Sequence, residues 1–398
     1  MRPGLVFSLP LLLAVPASAH EAVSPLDRLI HEQMIVLDTH LDTPMLFERP
    51  GWKFDEWHEY AWDQTQVDLP RMAAGGLDGG FFVVYTPQGE LTPEGYASAR
   101  EAALLRAMAI QRVMAANSDE IALATTAADA ERLHEAGKRI AYQSIENSYP
   151  LGEDLSLLET FYKFGVRMAG PVHSKNNQFA DSTTDTPRWN GLSPLGKEWV
   201  KEMNRLGIVI DGSHSSDAAL EQLIELSATP VILSHSGPRA LYDHSRNIPD
   251  DLMRKLAASG GVMQVNSLFL GAGDSDERSA IEDRQERWLE LTPAERRQLV
   301  ADKAALDARQ RSNEADFDMY MKSLLHSIEV MGVDHVGLGA DWDGGGGLPG
   351  IEDITALPRI TAHLREAGYS DADIEKIWSG NVLRLLRQAE EHAQRMKQ

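Results

Sequence analysis

The residues most able to do chemistry are histidines and carboxylates that follow short apolar runs. His40 and Asp42 follow the run Met34 to Leu37 in the stretch MIVLDTHLDTP. Residues two apart share a face of an extended chain, so both side chains can converge on one point. Imidazole nitrogen and carboxylate oxygen are both zinc ligands. The pair therefore predicts part of a metal site at the end of a buried strand.

Several other apolar runs end on a residue of the same kind. These residues are Glu146, His173, His214, His235 and Asp341. Taken singly, each has an ordinary explanation, because strand ends often carry a polar side chain. Together with His40 they make six at equivalent positions, which indicates a shared site.

Eight short apolar runs bounded by turn signals are predicted to be strands. Stretches with apolar residues at helical spacing lie between them, for example 98–116 and 193–206. Strands that alternate with helices predict a (β/α)8 TIM barrel, whose active site lies at the C-terminal ends of the strands. The predicted strands are 34–40, 79–85, 139–146, 166–173, 207–214, 230–235, 260–266 and 335–341.

The N-terminus has the pattern of a secretory signal peptide, predicted over residues 1–19. It combines Arg2, an apolar run over 5–15 and the small-residue site Ala17-Ser18-Ala19. A membrane anchor is the less favoured reading, because the run is short and interrupted by prolines. We expect cleavage near Ala19, a single domain over 20–398, and a secreted or periplasmic protein without a stable membrane anchor.

Composition narrows the chemistry further. The chain of 398 residues contains no cysteine, so disulfides are excluded and any metal site must use nitrogen and oxygen ligands. The formal charge of −22 argues against nucleic acid or an anionic membrane as a partner. The oligomeric state is left open, with a homodimer as one option.

The segment 271–316 interrupts the alternation of strands and helices. Its composition predicts a charged helical excursion after the seventh strand. Thr292, Pro293 and Glu295 have the types and spacing of an N-cap, N1 and N3 at a helix start. A solvated helical pair is favoured over a lid or an oligomer contact. The glycine-rich stretch 339–350 predicts a loop after the eighth strand.

Two zinc ions that share a carboxylate need about three protein ligands each and an open position for water. His40 and Asp42 can hold one ion, and His214 and His235 the other. Glu146 has two carboxylate oxygens with which to bridge them. Paired ions lower the pKa of a shared water and polarise a carbonyl, so the expected chemistry is hydrolysis.

Sequence motifs across most of the chain resemble those of the membrane (renal-type) dipeptidases, the M19 metallopeptidases of the amidohydrolase superfamily. The resemblance extends from about residue 28 to 388, and the motifs recur in the order found in that family. They include DTHLDTP, SIENSYP, AGPVHSKNNQFADS, PVILSHSGPRALYDHSRNIPDDLM and VGLGADWDG.

The resemblance implies roles for individual residues. His40 and Asp42 match first-strand zinc ligands, Glu146 the bridging carboxylate, and His214 and His235 the ligands of the second zinc.

Outside the ligand set, His173 resembles the histidine that stabilises the oxyanion. Arg246 and Asn247 fall in the substrate-binding motif HSRNIPDD, where Arg246 resembles the arginine that binds the terminal carboxylate. Asp341 resembles the aspartate that carries the proton from the attacking water to the leaving amine.

Three positions leave alternatives open. Asp343 competes with Asp341 for the proton-transfer role, and Asp341 is favoured because it directly terminates the strand. A carboxylated lysine bridge would use Lys175, although Glu146 already serves as the bridge. Residues 147–150, Asn-Ser-Tyr-Pro, replace glycine-rich sequence of many relatives and are expected to reshape the pocket.

These features predict an exported dinuclear zinc dipeptidase in which a metal-bridging hydroxide attacks the peptide bond. A carboxylate clamp at a fixed distance from the metals favours dipeptides, and the resemblance implies tolerance of a D-residue at the C-terminal position. One alternative keeps the site but hydrolyses another small amide or a lactone, such as an N-acyl amino acid or a β-lactam-like ring. Another is a barrel that has lost catalysis and only binds.

Overall fold

The computed structural model describes residues 23–271, 275–286, 291–309 and 315–398. The predicted signal peptide, residues 1–19, lies outside the described residues. Each predicted strand region overlaps one strand of the structure, and a ninth, short strand, Ile121–Leu123, was not predicted. The strands β1 to β9 are Leu37–Leu41, Gly79–Val84, Ile121–Leu123, Arg139–Ile145, Val166–Ala169, Val209–Ile210, Ile232–Ser236, Val262–Val265 and Val336–Leu338.

The strands pair in parallel and close into a ring. One ladder runs β1-β2-β4-β5-β6, and a second runs β7-β8-β9. A parallel bridge between Asp211 and Ile232 joins the first ladder to the second after β6. Another, between Leu41 and Trp342, joins β9 to β1. Eight strands therefore form the predicted barrel, while β3 lies outside the ring and pairs only with the start of β4.

Helices cover the outside of the barrel. The predicted stretches 98–116 and 193–206 fall in α4 and α7, and a π-helical turn, Lys376–Gly380, joins α14 to α15. The helices α1 to α15 are Pro25–Gln33, Tyr60–Asp63, Leu69–Gly75, Pro93–Ala116, Ala127–Glu135, Leu157–Lys163, Pro194–Leu206, Asp217–Leu226, Asp250–Ala258, Asp276–Glu286, Pro293–Arg309, Phe317–Met331, Leu357–Glu366, Asp371–Glu375 and Asn381–Met396.

Both faces of the barrel strands are buried, because helices pack on one face and the barrel interior on the other. Every residue of β1, β2 and β7 is buried. This burial explains why the strands read as continuous apolar runs without alternation. A polar side chain at the end of such a strand therefore lies at the mouth of the barrel.

The predicted helical excursion after the seventh barrel strand is present as α10 and α11. The two helices pack on each other through Ile281, Leu299 and Leu306. The predicted helix start forms a capping box: Glu295 N donates to Thr292 Oγ1 at 3.3 Å, and Thr292 N donates to Glu295 Oε2 at 2.7 Å. Among the described residues, no helix combines the length and apolar content needed to cross a bilayer.

Candidate metal centre

The Glu146 carboxylate lies at the centre of a histidine cluster at the mouth of the barrel. Its Oε1 atom is 3.1 Å from His214 Nε2 and 3.5 Å from both His40 Nε2 and His235 Nε2. His173 Nε2 lies 3.6 Å from the same oxygen. These residues come from the ends of β1, β4, β5, β6 and β7 or the turns that follow. The structure thus brings together side chains far apart in sequence, as the sequence predicted.

Two aspartates complete the cluster on the side of His40. Asp42 Oδ2 lies 3.3 Å from His40 Nε2, and Asp341 Oδ1 lies 3.9 Å from the same nitrogen. All three side chains are almost fully buried. Three carboxylates, counting Glu146, therefore share one enclosed region, where their charges need compensation by cations.

The donor atoms of this cluster fit metal ions. Among the described residues, His40 Nε2 and Asp42 Oδ1 are buried atoms without a hydrogen-bond partner. Buried polar atoms are rarely left unpaired unless an ion, water or substrate completes them. The Nε2 atoms of His214 and His235 face each other at 2.9 Å. Imidazole nitrogens and carboxylate oxygens in this arrangement are the ligand set that zinc accepts.

The ligand atoms form three overlapping groups. Atoms within 4.8 Å of one another belong to His40, Glu146 and His235 in one group and to His40, Asp42 and Asp341 in another. The third group contains Glu146, His173 and His214. His173, expected to contact substrate, is thus also within reach of a cation. His235 Nε2 lies near His214 Nε2, at 2.9 Å, as well as in the group with His40, so the pairing of His214 with His235 stays a prediction.

Burial and neighbouring charges shift the pKa values of the acidic side of the cluster. Burial raises the pKa of Glu146 well above its usual range, although His40 opposes this shift. Burial also raises the pKa of Asp341 to about 6. For His40, burial alone would lower the pKa, but the Asp42 and Glu146 carboxylates outweigh it and raise the pKa to about 10. In the metal-free protein the carboxylates thus hold a proton on His40.

The pKa values of the other three histidines of the cluster are lowered. Burial, together with the charge of Arg246, lowers the pKa of His173 to about 4. Burial lowers the pKa of His214 and of His235 well below the usual range, reinforced by Arg246 and His40. Neutral imidazoles are the form in which histidine binds metals, so these three rings are ready to act as ligands at neutral pH.

Arg246 lies beneath the cluster, fixed to β7. Its Nη1 donates to Ser236 Oγ at 3.0 Å, and its Nη2 donates to the carbonyl oxygen of His235 at 2.8 Å. Its Nε atom has no partner among the described residues. Burial lowers the pKa of Arg246 to about 10, with the Asp341 carboxylate acting against this shift. The guanidinium remains charged and keeps donors free for an anionic group.

Asn247, predicted with Arg246 to bind substrate, holds the loops beside it. Its Nδ2 donates to the carbonyl oxygens of Tyr242 at 3.0 Å and Phe269 at 2.7 Å. Its Oδ1 is buried and has no partner among the described residues. Only this oxygen remains for a substrate, so the amide mainly positions the loop that carries Arg246.

The structure separates the two aspartates proposed for proton transfer. Asp343 is engaged elsewhere, because it accepts hydrogen bonds from Thr43 Oγ1 at 2.7 Å and Gln66 N at 2.6 Å. Asp341 instead faces the histidine cluster. Lys175, the residue considered for a carboxylated lysine bridge, is exposed and does not belong to the grouped ligand atoms.

Residues 147–150 pack behind the site. The Tyr149 hydroxyl donates to the carbonyl oxygen of Glu90 at 2.5 Å, and its ring contacts Tyr96. Ser148 Oγ donates to the carbonyl oxygen of Gly170 at 2.8 Å. The segment therefore braces the turn after Glu146, and its effect on pocket shape stays a prediction.

Sequence reasoning did not single out three buried polar residues that support the cluster. Asp38 accepts hydrogen bonds from His40 N at 2.8 Å and Ala340 N at 2.9 Å, which ties β1 to the end of β9. Asp211 and Ser234 lie behind His235. Each is a polar residue within or directly after an apolar strand. A polar residue that interrupts an apolar run was the signal by which the sequence could have shown them.

Comparison with known proteins identifies the family. A sequence model of the membrane dipeptidases, peptidase family M19, matches residues 26–398. The chain belongs to this family. It is accordingly a metallo-dipeptidase with a TIM barrel, and family membership accounts for the grouped metal-ligand atoms described above.

Individual M19 relatives resemble the chain over most of its length. Dipeptidase tcpJ of Claviceps purpurea is 31% identical over 340 residues, which cover 83% of this chain and 71% of that protein. The probable dipeptidase PvdM of Pseudomonas aeruginosa is 30% identical, with a TM-score of 0.80, and the match covers 92% of this chain and 98% of that chain.

One similar solved structure carries a ligand that mimics a dipeptide. It is a metallo peptidase of Rhodobacter sphaeroides bound to a phosphinate mimic of the dipeptide L-Ala-D-Ala. It is 26% identical to this M19 chain, with a TM-score of 0.71, and the match covers 89% of this chain and 99% of that chain.

Proposed function

We propose that the protein is an exported dinuclear zinc dipeptidase that hydrolyses dipeptides and accepts a D-residue at the C-terminal position. The observation that carries the proposal is the position of Glu146 Oε1, which lies within 3.6 Å of the Nε2 atoms of four histidines. A carboxylate among several imidazoles has two oxygens with which to bridge two cations.

The proposed ligands are His40 and Asp42 for one zinc ion, His214 and His235 for the other, and Glu146 for both. When bound, the two ions would supply an activated water and a polarised substrate carbonyl. The unpaired His40 Nε2 and Asp42 Oδ1 atoms support this assignment. Ligands of this type also accept cobalt or manganese, so metal identity is part of the test.

Two further residues act on the substrate itself in this proposal. His173 is partly exposed at the mouth, with 27% of its side chain accessible, and its Nδ1 lies 2.8 Å from Ser174 Oγ. A neutral His173 would donate a hydrogen bond to the oxygen of the scissile carbonyl as negative charge develops there. Asp341 would take the proton from the attacking water and pass it to the leaving amine.

Arg246 is the proposed clamp for the terminal carboxylate of the substrate. Its guanidinium is held by Ser236 and His235, so its distance from the histidine cluster is fixed. A fixed clamp favours dipeptides, because a longer peptide would not place its carboxylate and its scissile bond together. The L-Ala-D-Ala mimic bound to the relative from Rhodobacter sphaeroides supports tolerance of a D-residue.

A substrate panel with metal analysis tests the proposal. Purified protein with zinc would be assayed on L-Xaa-L-Xaa and L-Xaa-D-Xaa dipeptides, tripeptides, N-acyl amino acids and a β-lactam. We expect turnover of dipeptides from both series and two zinc ions per chain. Turnover of the other amides or the lactam without any dipeptide would contradict the proposal and favour the alternative amidohydrolase activity.

Glu146→Gln is the matched variant for the metal site, because it keeps the size of the side chain but removes its charge. We expect it to lose at least one zinc ion and nearly all activity, with circular dichroism confirming the fold. Unchanged metal content and activity would show that Glu146 is not the bridge.

Residues 1–19 support the export part of the proposal. N-terminal sequencing of the protein from the culture medium or periplasm is expected to begin at His20. A chain retained in the cytoplasm with Met1 intact would contradict export. Light scattering on the same material would distinguish a monomer from a homodimer.

A further inference from the structure

Asp211 and Ser234 lie behind the histidine cluster, and neither has a role in the mechanism above. Both side chains are buried, with 3% and 0% of the residue exposed. The Asp211 carboxylate accepts hydrogen bonds from the backbone N–H groups of Ser213 and Ser234, each at 2.9 Å. It also accepts the hydroxyl hydrogen of Ser234 at 2.5 Å. Three donors therefore fix the carboxylate in place.

The hydrogen bond to Asp211 determines what the serine hydroxyl can do next. A hydroxyl has one hydrogen and two lone pairs, and here the hydrogen goes to the carboxylate. Ser234 Oγ must then act as an acceptor toward His235 Nδ1, which lies 2.9 Å away. The proton of a neutral His235 is thus placed on Nδ1, and the lone pair on Nε2 faces Glu146 and His214.

The same hydroxyl reaches a second proposed ligand. Ser234 Oγ lies 3.5 Å from His40 Nδ1, and the ring centroids of His40 and His235 are 3.7 Å apart. The Ser234 Oγ atom therefore lies between the Nδ1 atoms of two histidines, from strands β1 and β7, whose Nε2 atoms face the proposed metal site. The shorter contact is to His235, so the effect should be greatest there.

We propose that Asp211 and Ser234 are positioning residues that set the tautomer and orientation of His235 and so strengthen metal binding at its Nε2 atom. The inference rests on the proposed function only in treating His235 as a metal ligand. Partners that hold the second nitrogen of a ligand histidine typically change metal affinity by about 10–100-fold when they are removed. Here the Asp211 carboxylate orients the Ser234 hydroxyl, and the hydroxyl in turn holds the His235 ring.

Ser213 offers a matched control on the neighbouring strand end. Its hydroxyl accepts a hydrogen bond from His235 N at 3.2 Å and lies 3.3 Å from Ser234 Oγ. It is also buried, with 2% exposed. Ser213→Ala therefore removes a hydroxyl that holds the same histidine by its backbone, whereas Ser234→Ala removes the one that holds its ring.

The first test reads the tautomer directly in the full-length, metal-free protein. ¹⁵N-histidine NMR is expected to show the Nδ1–H tautomer of His235 in the wild type and a shift toward the Nε2–H tautomer in Ser234→Ala. A wild-type protein with the Nε2–H tautomer would overturn the inference. The wild-type measurement does not depend on any variant folding.

The second test measures zinc affinity by competition with a chromophoric chelator. Ser234→Ala is expected to bind the more weakly held zinc ion about 10–100-fold less tightly than the wild type, and Ser213→Ala to lose less. Equal losses in the two variants, or no loss in Ser234→Ala, would overturn the inference. A wild type with the Nδ1–H tautomer that hydrolyses no dipeptide would support the inference and contradict the proposed function.

Discussion

His31 is a fully buried histidine on α1 whose hydrogen bonds can all be made by the neutral ring. Its Nε2 lies 3.0 Å from the carbonyl oxygen of Gly75 and must carry a proton. Its Nδ1 lies 2.8 Å from Thr361 Oγ1, which also accepts the indole N–H of Trp378 at 2.9 Å. In the neutral ring with its proton on Nε2, Nδ1 accepts a hydrogen bond from the Thr361 hydroxyl, and a second proton on Nδ1 would remove that acceptor. Burial accordingly lowers the pKa of His31 from 6.5 to about 4.

This lowered pKa makes the stability of the fold depend on pH in a defined direction. The unfolded chain takes up the proton at higher pH than the folded chain. The contribution of neutral His31 to the free energy of unfolding is therefore fully present above pH 6.5. It is lost as the pH falls toward 4. The whole shift corresponds to about 3 kcal/mol, of which about 2 kcal/mol is already lost at pH 5.

His31→Gln tests this reasoning, because an amide can donate to Gly75 and accept from Thr361 but does not titrate. We expect the free energy of unfolding of the wild type, relative to the variant, to fall by about 2 kcal/mol between pH 7.5 and pH 5. Urea unfolding of both metal-free proteins measures it, and comparing them cancels the other titrating groups. A wild-type-to-variant difference that is identical at the two pH values would refute the neutral, buried assignment.

Substitutions at three further positions test the metal centre. In Gly344→Ala, the new Cβ would lie 2.1 Å from Asp42 Oδ2 and 2.3 Å from Asp341 Oδ1, so we expect reduced zinc content and a loss of kcat/KM on the order of a hundredfold. Arg246→Lys keeps the charge but loses the planar fork, so KM for dipeptides should rise about tenfold while zinc content is unchanged. Asp341 has a φ of 68°, so Asp341→Gly should be more stable than Asp341→Ala by about 1 kcal/mol in urea unfolding of the metal-free proteins.

Each of these predictions has a control or a clear contrary result. Gly380→Ala adds a Cβ whose nearest neighbour is 3.6 Å away and should keep its zinc; equal zinc content in Gly344→Ala would contradict the steric reasoning. Arg205→Lys changes an exposed arginine on α7, where it pairs with Glu202, and should leave KM unaltered. An unchanged KM in Arg246→Lys would show that Arg246 does not bind the substrate carboxylate. Equal stability of the two Asp341 variants would show that the backbone at Asp341 is not strained.

The barrel was predictable because its strands are buried on both faces. Continuous apolar runs ended by a polar residue mark both the strand and the edge at which it ends. The runs overestimate the paired segments, however: 207–214 contains only the two-residue strand Val209–Ile210. The short strand Ile121–Leu123 was missed because three residues do not establish a pattern.

The members of the site were predictable, but the distances between them were not. Each candidate ligand was visible as a strand-end residue, whereas the distances between them depend on how the barrel closes. His40 and His235 come from β1 and β7, which do not pair as neighbours, yet their rings are 3.7 Å apart. The sequence could therefore pair His235 with His214, whose Nε2 atoms lie 2.9 Å apart, but could not show that the His40 ring also lies against His235.

The strand ends also show how the fold accommodates the site. His214, Asp341 and Asp343 have φ angles of 65°, 68° and 63°, in the left-handed region that costs a side chain on the order of 1 kcal/mol or more. Such strain persists only where neighbouring contacts determine the conformation. At Asp341 the backbone carbonyl accepts hydrogen bonds from Gly344 N and Gly346 N, at 3.2 and 2.8 Å.

The same compensation is found at the other two strained positions. The backbone carbonyl of His214 accepts a hydrogen bond from Thr183 N at 2.9 Å, and the Asp343 carboxylate is held by Thr43 and Gln66. Glycine would relieve the strain at each position but would supply no side chain. The chain must turn immediately after the strand for His214 and Asp341 to face the mouth, so the strained conformation is a direct consequence of where the ligands have to be.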